Sequence, residues 1–334
     1  METPSRSPLL DWAGAALAAW LVGGACIDAW AHWHIPELES FFTPWHAILY
    51  SGMFVNILFV GVLFLRGRTA GGPLRAAFPP GYGLTAVGCL VFLLAGQGDM
   101  AWHTFFGIER NTEALLSPTH LGLMVGATLV AAGPWRAARL RGDGRGDHPA
   151  ALSAGLVLAM LWFFLQFDLP YTAHWAAGTV RGVDRAVQLG VLGVLVATVT
   201  MVGVVLLFLR DLRPPPGLVT IVTGVPTLFV VGFSGQADPL VTDVAALTAA
   251  VLADVVLAAG PRRLFAVAFP VMVWAAYFGG LAVTEGVAWS VHVWAGCVVV
   301  AGLIGWAMSQ LVPAAAPVAR SVPLTDAPEP AVSD

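Results

Sequence analysis

The sequence predicts an all-α fold: a polytopic membrane bundle of about ten transmembrane helices in five hairpins, the first two hairpins forming an internal repeat. Three observations predict it. Of 334 residues 58% are hydrophobic and 11% charged, with a mean hydropathy of +0.79, so the chain carries more apolar surface than a water-soluble core can hide. The apolar residues come in runs of about twenty, the length a helix needs to cross the hydrocarbon core of a bilayer. Short polar stretches separate the runs, and the arginines gather in alternate ones.

Taken in order, the spans fall near 10–31, 45–65, 82–102, 118–135, 150–170, 186–209, 217–235, 241–259, 264–284 and 290–311. The first follows an arm at 1–9 and reads as a retained helix: it has no clear cleavage site and runs into Asp28 and His32, unlike a secretory signal. The second and fourth open at Thr43-Pro44 and Ser117-Pro118, where a hydroxyl suits the N-cap and proline suits the first helical position. Residues 10–135 therefore hold the two repeated hairpins, and 136–149, with its Arg141-to-Asp147 run, reads as a solvated cytoplasmic loop. Six further spans fill 150–312. The Pro/Ala-rich tail at 313–334 has no apolar surface to bury and is expected to be disordered. Cys26, Cys89 and Cys297 lie in or beside apolar runs without paired spacing, which makes them small core residues and not a disulfide framework or thiolate site.

All sixteen basic residues are arginine. Thirteen of them fall on one side of the ten-span arrangement and only Arg110, Arg181 and Arg185 on the other, which places both termini in the cytoplasm of a multi-pass plasma (inner) membrane protein. The opposite, extracytoplasmic face then receives seven of the eight histidines and many acids, among them Asp168, Asp243 and Glu285. His34, Glu109, His174 and His292 at that level have no place in the repeat. Asp254 is the acid set well inside a span, and Arg262 and Arg263 are its expected partners.

The repeat carries the chemistry. Asp28, His32, Glu39, Pro44, His46 and Gly52 recur as Asp99, His103, Glu113, Pro118, His120 and Gly126; the first two are offset by 71 and the rest by 74, so a single three-residue insertion relates the copies. Asp and His at i and i+4 share one helical face. The chain then turns outside the membrane and brings His46 or His120 back in the first turn of the returning helix. Each hairpin thus offers one Asp and two His as metal ligands, Asp28, His32 and His46 or Asp99, His103 and His120. Glu39 and Glu113 stand by as auxiliary ligands or catalytic proton acceptors. Imidazole and carboxylate without thiolate suit copper, iron, zinc or manganese, and a two-His-one-carboxylate set leaves coordination positions open for a small molecule such as dioxygen. Spacing alone allows one shared dinuclear centre or two separate ones.

At these residues the chain resembles the metal-binding subunit of the copper membrane monooxygenases, the particulate methane and ammonia monooxygenase group. There, a helix carries Asp (or Asn) and His four residues apart, and a second His about a dozen residues on completes a copper site. Asp28, His32 and His46 match with thirteen residues between the histidines, and Asp99, His103 and His120 with sixteen; the resemblance covers about 25 residues in each copy. It implies copper as cofactor, with iron or zinc as alternatives, and an oxygen-activating, monooxygenase-like membrane oxidoreductase acting on a small or lipid-soluble substrate. The expected partners are the bilayer, dioxygen or another small molecule, and membrane or extracytoplasmic subunits; none is a nucleic acid. The competing readings are a metal-ion or proton-coupled transporter, a b-type haem protein and an accessory subunit of a larger complex.

Overall fold

The computed structural model describes residues 8–35, 42–68, 72–107, 109, 112–178, 184–232 and 240–313. These are helical, with no β-strand among the described residues. The first part of the chain forms α1 (Pro8–His34), α2 (Pro44–Gly67), α3 (Gly83–Phe106), the short α4 (Thr112–Leu116), α5 (Pro118–Ala131), α6 (Gly133–Leu140) and α7 (His148–Leu165). The second part forms the short α8 (Pro170–Ala173), α9 (Asp184–Asp211), α10 (Leu218–Pro226), α11 (Leu240–Ala259), α12 (Arg262–Val283) and α13 (Val291–Leu311). Eight of them, α1, α2, α3, α7, α9, α11, α12 and α13, are long and apolar enough to cross a membrane, so the chain is a helical bundle that fits a multi-pass membrane protein.

Two of the ten expected spans are not single straight helices. The fourth is split into α5 and α6, bent by 42° where Gly133 and Pro134 interrupt the hydrogen-bond ladder. The seventh is α10 continued by a π-helical turn at Thr227–Val231, with Pro226 inside it. Its Leu218–Val231 stretch spans only about 21 Å at 1.5 Å per residue, short of the ~30 Å hydrocarbon core. The expected cytoplasmic loop at 136–149 begins helical, because α6 runs on to Leu140.

The hairpins that carry the two Asp/His/His sets are α1/α2 and α3/α5, and they close in corresponding ways. A methyl group on Gly52 would stand 2.9 Å from the Leu21 Cα on α1, and one on Gly126 would stand 2.7 Å from the Phe92 nitrogen on α3. Leu21 and Phe92 are 71 residues apart, Gly52 and Gly126 are 74 apart, so each hairpin is clamped at the same place in its own numbering. Without a side chain at these positions the helix backbones come close enough to bring ligands from both into one space. Behind both hairpins stands α7, which packs on α1 and α5 on one side and on α9 and α10 on the other. It is the most enclosed of the eight long helices, with 72% of its window buried.

At the opposite end of α1, half-buried Arg141 joins Asp147 (2.6 Å) and Asp11, and Tyr82 donates to Asp11 over 2.9 Å, tying α1 to the α6–α7 connection. Asp254 departs from expectation. Its carboxylate accepts from the Val219 and Thr220 amides (2.8 and 2.9 Å) and the Thr220 hydroxyl (2.7 Å), capping the start of α10. Arg262 instead donates to the carbonyls of Leu206, Leu209 and Val312, the open ends of α9 and α13. Sequence proximity suggested an ion pair, but the two groups lie at different helix ends. Cys26, Cys89 and Cys297 are free and buried.

Candidate metal centre

Asp28 and His32 project from the last two turns of α1, and His46 from the first turn of α2. Thr43 caps α2 by accepting the His46 amide over 3.1 Å, and Pro44 fixes the first helical residue, so the local sequence sets where the imidazole starts. His32 Nε2 and His46 Nε2 lie 3.8 and 3.3 Å from the same oxygen, Asp28 Oδ2. In the second hairpin, Ser117 caps α5 by accepting the His120 amide over 3.4 Å. His103 Nε2 lies 3.3 Å from Asp99 Oδ2, and His120 Nε2 lies 3.3 Å from Asp99 Oδ1. The ring pairs repeat the likeness, with centroids 5.4 Å apart for His32 and His46 and 5.7 Å for His103 and His120.

Within each triad, one donor atom from every residue lies within 4.8 Å of the others. Ligands bound tetrahedrally at about 2.0–2.1 Å stand roughly 3.3 Å apart, the separation of three of the four Asp–His contacts here, the His32–Asp28 contact being 3.8 Å, so a first-row divalent ion would fit once the side chains draw together. Asp28 Oδ1 strengthens the fit, since it is buried without a hydrogen-bond partner. A buried oxygen left so is costly unless something with positive charge meets it.

Both triads open onto one cavity of about 280 Å³. Between the triads its wall carries Tyr50, one turn beyond His46, whose ring meets those of His46 and Phe92 edge-on at 6.3 and 6.1 Å. Elsewhere the lining is mostly apolar, including Leu21, Leu49, Leu123, Met124, Phe163 and Phe164. The cavity therefore joins six ligand side chains to a greasy pocket the size of a small organic molecule. No protein-family model, curated protein or solved structure matches the chain. The case for the site accordingly stands on its geometry.

The other carboxylates and imidazoles distribute unevenly. Glu39 lies outside the described residues. Glu113 is exposed in the first turn of α4 and does not line the cavity, although its neighbours Ala114 and Leu115 do. Glu109, which has no counterpart in the repeat, does line it: its Oε2 lies 3.0 Å from His103 Nδ1. Gly107 makes this return path, adopting φ +84° just past α3 where a side chain would be strained. The sequence signal that could have found Glu109 is this glycine at the helix end followed by an acid. His34 is turned aside, its ring stacked on Trp30 and its Nδ1 2.8 Å from the Trp30 carbonyl. His292 is exposed at the start of α13. His174 and Glu285 meet at 3.7 Å in the other half of the bundle, away from the cavity.

Proposed function

We propose that this chain is an integral membrane metalloprotein whose two hairpins are a duplicated ligand-bearing unit and whose two Asp/His/His sets hold copper, or failing that iron. In this reading it is an oxygen-activating oxidoreductase acting on a small or lipid-soluble molecule, with the centre near the extracytoplasmic face. The observation that carries the proposal is the convergence of Asp28, His32, His46, Asp99, His103 and His120 on a single, mostly apolar cavity. A purely structural role for six such side chains would leave no reason for space between them.

Each residue has a part that does not depend on which ion binds. The Nε2 atoms face inward and, when neutral, present lone pairs, while the aspartates lower the net charge of any bound cation. The apolar part of the cavity beside these side chains would take the hydrocarbon part of a substrate and exclude bulk water. The metal, when bound, supplies the electrons or the electrophile that dioxygen chemistry requires.

Elemental analysis with paramagnetic resonance of the detergent-extracted chain tests the proposal, set against the His46→Ala, His120→Ala double variant. Copper or iron in stoichiometric amount, lost in the double variant, is the expected result. Background metal in the wild type, or unchanged content in the double variant, overturns it.

A further inference from the structure

The two triads match in their ligands and differ in what holds the ligands. In the second hairpin, the Thr119 hydroxyl donates to Asp99 Oδ1 over 2.8 Å. The Ser117 hydroxyl sits 2.8 Å from His120 Nδ1, and His103 Nδ1 sits 3.3 Å from the Gly107 carbonyl, with the Glu109 carboxylate 3.0 Å away in ion-pair contact and its two oxygens buried without a hydrogen-bond partner. Each imidazole is thus anchored through Nδ1, by a hydroxyl at His120 and by a backbone carbonyl at His103, with Nε2 left facing the centre, the arrangement by which an outer oxygen fixes a ligand ring and raises its basicity.

The first hairpin lacks one of these supports for a reason written in the sequence. The residue 74 before Thr119 is Trp45, which has no oxygen to offer and turns its ring toward Trp30 at 5.8 Å. Asp28 Oδ1 is correspondingly buried without a partner. Enclosure differs in the same sense at two of the three positions: the Asp99 and His103 side chains are 3% and 10% exposed and those of Asp28 and His32 13% and 31%, while His120 at 22% is more open than His46 at 12%. A pre-oriented, enclosed set loses less freedom on binding an ion and releases it less readily.

We infer that the triads are unequal metal sites, resting on the metal-binding reading above: Asp99/His103/His120 takes the first ion and retains it, and Asp28/His32/His46 holds a second, exchangeable ion. Thr119, which stands where the first hairpin has Trp45, is the positioning residue that sets the difference, and Glu109 adds a negative charge beside His103 Nδ1. Outer partners of this kind change metal affinity by about 10- to 100-fold, so the two sites differ by at least that range.

The test titrates the apo, detergent-extracted full chain with cupric ion against chelators of graded strength, following paramagnetic resonance spectra. Two ions that leave in separate steps are expected, the weaker missing in His32→Ala and the tighter missing in His103→Ala. Glu109→Gln and Thr119→Val should weaken only the tight step by about 10- to 100-fold and alter its spectrum, while Thr119→Ser, which keeps the hydroxyl, restores it. Trp45→Thr, by giving Asp28 a donor, should tighten the weak step. Two ions of equal affinity, a reversed order of loss, or a single ion lost equally in His32→Ala and His103→Ala overturns the inference while leaving metal binding in place. Absence of any copper or iron in the wild type fails the parent reading instead.

Discussion

The two halves of the bundle carry the same kinds of side chain at the same end and put them to different use. In α1–α5, Asp and His side chains aim into open space, and two glycine clamps hold the helices that carry them. In α8–α13, Asp168, His174 and Glu285 border a region packed solid with rings. Tyr171 lies stacked between Trp162 and Trp274 at 5.6 and 5.7 Å, Tyr277 stands edge-on to both Tyr171 and Trp274, and its hydroxyl donates to the Pro170 carbonyl. Histidines and acids near a membrane surface therefore do not by themselves make a site. Convergent helices and unfilled volume are what single out the candidate site.

That contrast can be broken most sharply by exchanging ligands. His46→Ala with His120→Ala should remove all bound metal, whereas His174→Ala with Glu285→Gln should leave metal content unchanged; elemental analysis of the two purified variants decides. Next in size is Trp274→Ala in the second half. This fully buried ring also donates to Thr198 over 2.7 Å, and its loss should cost about 3–5 kcal/mol in unfolding with the metal content of the folded fraction preserved.

The mirror experiment in the first half is Gly126→Val, which forces side-chain atoms against the α3 backbone. It should cost about 1–3 kcal/mol and also weaken metal retention, because α3 and α5 carry ligands on both sides of the clamp. A Gly126→Val protein with wild-type metal retention would show that the clamp serves packing alone.

The smallest effect concerns Asp168, in the turn after α7. Burial pushes its carboxyl up to about 6, against the opposing pull of the Trp175 indole, which donates to it over 3.1 Å. Because the folded protein holds this proton more firmly than the unfolded chain, whose aspartates titrate near 3.9, the stability it contributes is full below about pH 4 and falls as pH rises to about 6. Asp168→Asn should flatten that part of a stability-against-pH curve without changing metal binding; an unchanged slope removes the assignment.

Much of the bundle was legible in the chain because lipid imposes a simple rule on length and polarity. Asp28 with His32, and Asp99 with His103, were legible because i and i+4 fix a shared helical face, and the Thr43-Pro44 and Ser117-Pro118 starts fix where His46 and His120 re-enter. Glu109 was not, because its approach to His103 depends on the positive φ of Gly107 and not on any periodicity. Asp254 misled because distance along the chain to Arg262 says nothing about which helix end each group faces. The split of the fourth span at Pro134 was missed because hydropathy averages over a break that a single missing amide creates.

Helix α7 puts Met160, Phe163 and Phe164 into the cavity wall while its other faces press on α9 and α10. It is thus a party wall between the chamber and the ring-packed half. A change of volume where α9 or α10 presses on α7 therefore bears on the chamber wall beside α1 and α5 together.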